Sequence, residues 1–82
     1  MNASEIRAIF QDELGRIAPD VDFEAIDPDA DLREQVDIDS MDFLNLVTAL
    51  HERLRVDIPE TDYPKFATLT GALAYLGQRT TP

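Results

Sequence analysis

The sequence predicts an all-α fold: a bundle of three main helices with a short extra helix and a long first loop. Apolar residues recur at every third or fourth position in three separate stretches, which is the spacing of a helix with one buried face. Good helix-capping residues precede these stretches. The chain also lacks the sustained alternation and the Asn-Gly or Asp-Gly turns that indicate strands and hairpins.

The first helix is predicted over residues 3–17 and is followed by a long loop. Asn2 and Glu5 have the spacing of a capping box, and Pro19 ends the helix. The segment from Ala18 to Ile38 is rich in Asp and Pro, and a loop this long must be functional or tethered. We expect apolar side chains to tether it, with a single helical turn over residues 23–26.

The second helix is predicted over residues 40–54. Its apolar stripe consists of Leu44, Val47, Leu50 and Leu54, and Phe43 and Leu46 widen that stripe. A helix this broadly apolar is either deeply buried or presents part of its surface to a ligand or partner. Phe43 therefore has two interpretations, a core aromatic or an exposed contact residue, and the sequence does not separate them.

The last third of the chain contains an extended link, a short helix within residues 61–66 and a final helix. We expect Thr68 to cap the final helix, which would run through Leu76 and stop at Gly77. Residues 78–82 should fray. The predicted core draws on every helix. It comprises Ile6, Phe10, Leu14, Leu32, Leu46, Leu50, Ile58, Leu69 and Leu73.

Size and composition exclude several classes of protein. The 82 residues suffice for one domain, 1–82, with an ordered core of about residues 3–77. There is no cysteine and a single histidine, His51, so we expect neither a disulfide nor a metal site. No apolar run is long enough to span a membrane, and the first residues do not resemble a signal peptide, so a cytoplasmic location is expected.

Charge narrows the choice of partners. Seventeen acidic residues against seven basic ones give a formal net charge of −10, which disfavours binding to nucleic acid. Such a surface attracts partners with basic patches over about 8 Å at physiological salt. The alternative, that acidity only keeps the domain soluble, stays open.

The segment Ile38-Asp39-Ser40-Met41-Asp42-Phe43 carries the strongest functional signal. Asp39 is a good N-cap, so Ser40 becomes the first residue of the second helix. Its hydroxyl then lies at a helix mouth, where the peptide dipoles leave partial positive charge. A phosphate attached to that oxygen would lie in a favourable field.

Four fragments in order resemble the acyl carrier protein family, which is defined by phosphopantetheine attachment. Asp39-Ser40-Met41 resembles the family's Asp-Ser-Leu, and residues 46–50 resemble its Leu-Val-Met-Ala-Leu. Residues 57–60 resemble its Glu-Ile-Pro-Asp, and residues 67–76 resemble its capped last helix. The similarity covers nearly the whole chain, and four matches in order are far more specific than one.

The resemblance implies a carrier, without catalytic residues of its own. Ser40 would receive 4′-phosphopantetheine from coenzyme A through a phosphopantetheinyl transferase. The arm would hold acyl groups as thioesters and deliver them to acyl-transferring and acyl-modifying enzymes in fatty-acid, lipid or polyketide-type synthesis. The protein is expected to be a monomer. Residues expected to contact partners with basic or apolar docking patches are Asp39, Met41, Asp42, Phe43, Asn45 and Glu52.

The chain departs from the family pattern in two places. Asp37 replaces a glycine before the serine, which predicts a stiffer and more acidic loop tip. Asn45, His51 and Arg53 stand where carriers of general fatty-acid synthesis have acidic residues, so a specialised bacterial carrier is expected. Two alternatives stay open: an aminoacyl or D-alanyl carrier, since D-alanyl carriers can show Asp-Ser-Met, and a helical interaction module without the arm.

Overall fold

The computed structural model describes residues 2–80 and is all-helical over that range, which confirms the predicted fold class. The elements are α1 (Ala3–Ile17), α2 (Leu32–Gln35), α3 (Ser40–Leu54) and α4 (Leu69–Thr80), with 3₁₀ segments at Phe23–Ala25 and Glu60–Phe66. Helix α1 packs against both α3 and α4, and the second 3₁₀ segment packs against α4. The radius of gyration is 11.6 Å.

Helix α1 has the predicted bounds because both of its ends are fixed locally. The Asn2 side chain accepts a hydrogen bond from the Glu5 amide at 2.9 Å, and the Glu5 carboxylate accepts one from the Asn2 amide at 3.5 Å. These two bonds form the capping box that the spacing predicts. At the other end, the Ala18 amide donates to the Leu14 carbonyl at 2.8 Å.

The core draws one apolar face from each long helix. Leu73 is the one predicted core residue that the structure leaves only partly buried. It borders an open groove of about 710 Å³ between the start of α1 and α4, so part of its side chain meets solvent. The largest fully buried side chains are Phe10, Leu14, Leu32, Leu46, Val47, Leu50, Phe66 and Leu76.

Helix α2 lies within the segment that the sequence predicts to be a loop. The Asp31 side chain accepts hydrogen bonds from the amides of Arg33 at 2.9 Å and Glu34 at 3.3 Å, which caps the single turn. The Leu32 amide donates to the Ala67 carbonyl at 2.7 Å. Four residues are too few for apolar periodicity to show, and contacts with the rest of the bundle stabilise this turn.

The first loop is tethered to the core by the buried apolar side chains of Phe23, Ile26 and Val36, as expected, and hydrogen bonds add to this. The Asp27 amide donates to the Gln35 side chain at 2.7 Å, which closes the loop on α2. The Thr70 amide donates to the Pro28 carbonyl at 2.9 Å, and the Thr70 hydroxyl donates to the Asp29 carboxylate at 2.8 Å. The loop is therefore held to the start of α4 as well as to the core.

Helix α4 begins as predicted but ends later. The Thr68 hydroxyl accepts a hydrogen bond from the Gly71 amide at 3.0 Å, which caps the first turn. The prediction that Gly77 stops the helix was wrong, since α4 continues to Thr80. A glycine ends a helix by adopting positive φ, and none of the glycines in residues 2–80 does so. Predicted fraying therefore does not apply to residues 78–80, while residues 81 and 82 lie outside the described range.

Helix α4 is also fixed to the second 3₁₀ segment by a polar contact. The Tyr75 hydroxyl donates to the Asp62 carboxylate at 2.7 Å, and Arg79 pairs with the same carboxylate at 3.3 Å. Burial is the main reason that the pKa of Tyr75 is raised above its ordinary value, and the bond to Asp62 adds to it. This contact therefore fixes α4 beside the second 3₁₀ segment.

Candidate functional site

Ser40 is the first residue of α3, and its side chain is exposed. The residue before it, Asp39, has φ −91° and ψ −177°, the extended conformation of an N-cap. No hydrogen bond from the Ser40 hydroxyl to any residue in the range 2–80 is present. The oxygen is therefore accessible and uncommitted at the start of a fifteen-residue helix.

Two carboxylates beside Ser40 are used for capping. The Asp39 side chain accepts from the Asp42 amide at 2.8 Å, and the Asp42 side chain accepts from the Asp39 amide at 3.3 Å. This reciprocal pair satisfies two of the four amides that a helix start leaves without intrahelical partners. Phe43 begins the regular ladder by donating to the Asp39 carbonyl at 3.0 Å. The amides of Ser40 and Met41 keep the partial positive charge of the helix start.

The chain reaches Ser40 through a turn that is anchored on both sides. Val36 and Ile38 are buried, and the Ile38 amide donates to the Val36 carbonyl at 2.8 Å, so Asp37 points outward. Among the non-glycine residues of the described range, Arg55 alone has a positive φ. Position 37 therefore does not need the conformational freedom of glycine, and Asp is accommodated without backbone strain.

The outer face of α3 collects three of the predicted recognition residues. Met41, Asn45, Thr48 and Glu52 are spaced by three or four positions, so they share one face of the helix, and all are exposed. Met41 retains 63% of its surface. Asp42 lies on a different flank and is half-buried, because its carboxylate closes the capping box.

Leu44, which the sequence places on the apolar stripe of α3, lies outside the buried core. It retains 39% of its surface, while Leu46 is fully buried. The buried stripe is centred between Leu46 and Val47, which leaves Leu44 at its edge, three positions from Met41. Within residues 2–80, Met41 and Leu44 are the large apolar side chains that stay exposed. Sequence reasoning missed Leu44 because the apolar stripe of α3 is broader than one helical face can bury.

Phe43 combines both of its interpretations. The residue is half-buried and packs against the core, yet it is not enclosed. On its outer side, the guanidinium carbon of Arg33 lies 5.8 Å from the ring centroid, within the range of a cation–π contact. The ring thus joins α2 to the first turn of α3.

The carboxyl end of α3 is tied to its surroundings. Arg53 forms a hydrogen-bonded ion pair with Asp12 and a second one with Glu13 of α1 at 2.9 Å. The hydrogen bond from Arg53 is the main reason that the pKa of Asp12 is lowered. His51 places Nδ1 2.6 Å from the Val56 carbonyl, beyond the left-handed residue Arg55 that ends the helix. His51 and Arg53 are therefore used in structural contacts.

Residues 2–80 contain neither a membrane-spanning helix nor a metal-binding cluster of side chains. No helix in that range is long and apolar enough to cross a membrane. No group of three or more His, Asp or Glu side chains there could hold a metal ion.

Comparison with known proteins identifies the family. Residues 4–76 match the model of the phosphopantetheine attachment site. The chain is 34% identical to an acyl carrier protein of Thermosynechococcus vestitus over 96% of both chains. It is 31% identical to an acyl carrier protein of Rubrobacter xylanophilus over 94% of this chain and 89% of the relative. The chain therefore belongs to the acyl carrier family, whose cofactor is covalently attached 4′-phosphopantetheine.

The local structure at Ser40 suits a phosphate ester. The hydroxyl is exposed and lacks a partner in the range 2–80, and the adjacent amides of Ser40 and Met41 begin a helix. Partial positive charge at that point favours a negatively charged substituent. The carboxylates of Asp39 and Asp42 lie nearby and would repel a phosphate. The residues present thus fit the group, with an electrostatic cost at the cap.

Proposed function

We propose that this chain is a non-catalytic carrier that is loaded at Ser40 and serves as a substrate for its partner enzymes. The supporting observation is the exposed, uncommitted hydroxyl at the first position of α3, inside the segment that matches the attachment-site model. The cofactor supplies a flexible arm that ends in a thiol, which can hold an acyl group as a thioester. Ser40 supplies the oxygen to which the arm is attached.

Comparison with the other serine supports this assignment. The chain has two serines, Ser4 and Ser40, and both are exposed near the start of a helix. Ser40 lies beside the exposed side chains of Met41 and Leu44, which supply an apolar surface for an enzyme to bind. Ser4 lies at the groove that Leu73 borders, and no large apolar side chain is exposed beside it in the described range. A helix start alone therefore does not distinguish the two residues, and the surface around it does.

The surroundings of Ser40 support a carrier over an enzyme. A serine nucleophile needs a base within hydrogen-bond reach. The single histidine, His51, lies eleven positions along α3, or about 16 Å at the rise of an α-helix. Its Nδ1 also contacts the Val56 carbonyl. The nearest ionisable groups, Asp39 and Asp42, already accept backbone hydrogen bonds.

The partner surface is proposed to be apolar at its centre and acidic at its rim. Met41 and Leu44 form the centre, and Asp39, Asn45 and Glu52 surround it. Interface cores are depleted in charge, whereas rims are polar, so this arrangement suits direct docking. Phosphopantetheinyl transferase and acyl-processing enzymes of fatty-acid, lipid or polyketide-type synthesis are the proposed partners, in the cytoplasm.

Intact mass spectrometry tests the proposal. The purified chain is incubated with coenzyme A and a broad-specificity phosphopantetheinyl transferase, beside the Ser40→Ala and Ser4→Ala variants. We expect wild type and Ser4→Ala to gain the mass of one phosphopantetheinyl group, and Ser40→Ala to gain nothing. An unmodified wild type, or an adduct that persists in Ser40→Ala, would refute the assignment.

A further inference from the structure

Arg33 is a cation that contacts Phe43, the residue three positions after Ser40. It lies on α2, whose backbone is fixed by the bond from the Leu32 amide to the Ala67 carbonyl at 2.7 Å. The Asp31 side chain accepts from the Arg33 amide at 2.9 Å, which fixes the start of the side chain. The guanidinium carbon lies 5.8 Å from the centroid of the Phe43 ring.

The Phe43 ring relates Arg33 to Ser40. Ser40 and Phe43 are three positions apart on α3. They are therefore neighbours on the helix surface, with Cβ atoms about 5–6 Å apart. Side chains of a helix lean toward its amino end, so each one covers the turn that precedes it. The Phe43 ring therefore extends toward the turn that begins with Ser40. A guanidinium resting on that ring places its positive charge on the same side.

Arg33 has no carboxylate partner among residues 2–80, although the chain carries a net charge of −10. Four other arginines of that range do form ion pairs, namely Arg7, Arg16, Arg53 and Arg79. A cation–π contact uses none of the guanidinium N–H groups, so they stay available for a planar, two-point contact with a phosphate. Arg33 is thus a cation without an ion pair in the described range, and its chemistry suits a phosphate.

We propose that Arg33 is the intramolecular partner of the phosphate that joins the arm to Ser40. The inference rests on the proposed attachment at Ser40. Arg33 offsets the repulsion between that phosphate and the capping carboxylates of Asp39 and Asp42, and Phe43 keeps the guanidinium in position. The base of the arm is then held toward α2. The apolar surface of Met41 and Leu44, on the other side of Ser40, stays open to partners.

A thermodynamic cycle measures this pairing. Thermal midpoints are recorded for the unmodified and modified forms of wild type, Arg33→Gln and the control Arg55→Gln. Arg55 is also exposed and without an ion pair in the described range, but it lies at the opposite end of α3. Each variant is compared with its own unmodified form, so the effect of the substitution on the unmodified protein cancels. The remaining difference measures the coupling between the substituted residue and the arm.

We expect the arm to lower the midpoint of Arg33→Gln by about 1–8 °C more than that of wild type, as for an exposed charge pair in a small domain. Arg55→Gln should match wild type, and Arg33→Lys, which keeps the charge, should retain part of the coupling. High salt should remove the difference. The ³¹P resonance of the attached phosphate should shift in Arg33→Gln and not in Arg55→Gln.

The mass of each sample separates the two possible failures. If wild type acquires no arm, attachment itself fails, and this inference fails with it. If wild type and Arg33→Gln are both fully modified, yet show equal changes in midpoint and the same ³¹P resonance, attachment stands and the role of Arg33 is overturned. An equal effect of Arg55→Gln would also overturn it, because general acidity of the chain would then explain the result.

Discussion

The two ends of α3 are built for different purposes. At the amino end, Ser40, Met41 and Leu44 are exposed, and the polar contacts are the capping bonds of the helix itself. At the carboxyl end, His51 contacts the backbone beyond the helix and Arg53 pairs with two carboxylates of α1. One helix thus presents an exposed hydroxyl at its amino end and is held to the rest of the bundle at its carboxyl end.

This difference shows why residue type alone misassigns a face. Arg53 stands where an acidic recognition residue is expected in the family, and it would make the partner surface less negative if it pointed outward. In the structure it turns toward Asp12 and Glu13, and Glu13 is 8% exposed. The charge is therefore used for packing α3 on α1, and the surface that we propose for partners lies nearer Ser40.

The largest expected effect is a loss of stability, and it should differ between two leucines of α3. Leu50→Ala removes a fully buried side chain and should cost about 2–5 kcal/mol of the ~5–15 kcal/mol available to such a domain. Leu44→Ala should cost much less, since the side chain is 39% exposed. Thermal or urea unfolding measures both. Equal losses would show that Leu44 is a core residue and that the amino end of α3 is not an open surface.

The next effect concerns partner binding at the open end. Met41→Ala should weaken binding to a cognate enzyme by up to ~2 kcal/mol, as for a central apolar contact, while unfolding stays nearly unchanged. Thr48→Ala is the matched control, because Thr48 is exposed on the same face farther along α3. Dissociation constants measured over a salt series complete the test, and we expect a modest salt dependence. A steep salt dependence, together with an unchanged dissociation constant for Met41→Ala, would instead indicate recognition through charge.

A smaller effect is expected on the pH dependence of stability, through the ion pair at the carboxyl end of α3. The folded-state pKa of Asp12 lies below its ordinary value of 3.8, so its ion pair stabilises the fold above that pH. The contribution is lost as pH falls through the lower folded-state value. The slope of thermal midpoint against pH below 3.8 should therefore be shallower in Asp12→Asn than in wild type. Asp20→Asn, at an exposed position without an ion pair in the described range, is the control and should keep the wild-type slope.

The smallest effect is expected at His51. His51→Ala removes the contact of Nδ1 with the Val56 carbonyl and should cost about 0.5–1.5 kcal/mol, the usual net value of one hydrogen bond. Loading at Ser40 should be unaffected in this variant. A loss of loading without loss of stability would mean that the two ends of α3 are not separate in function.

Local signals in the sequence predict the helix starts well. Asn2, Asp39 and Thr68 each cap a helix in the structure, because capping depends on a few adjacent residues. Helix α2 was not predictable from periodicity, since it is one turn long and depends on a bond to distant Ala67. The exposure of Leu44 was not predictable from periodicity for a related reason. An apolar residue at the edge of a wide stripe is buried only if a neighbour covers it, and neighbours are set by the tertiary fold.

The candidate site likewise has features that local sequence predicts and features that depend on the tertiary fold. Ser40 and its cap follow from six adjacent residues, so the sequence predicts them. The pairing of Arg33 with Phe43 and of Arg53 with Asp12 joins residues that are far apart in the chain, and no local pattern indicates either. The Arg53 pair in particular places a positive charge of α3 against α1, which composition and net charge could not show.

Peptide mapping of the loaded protein tests the central claim most directly. Cleavage after arginine releases residues 34–53, in which Ser40 and Thr48 are the hydroxyl-bearing side chains, and residues 1–7, which contain Ser4. Fragmentation should place a single phosphopantetheinyl group on Ser40 and none on the other two residues. An arm on Ser4 or Thr48, or no arm on either peptide after full incubation, would contradict the assignment of the amino end of α3 as the loaded end.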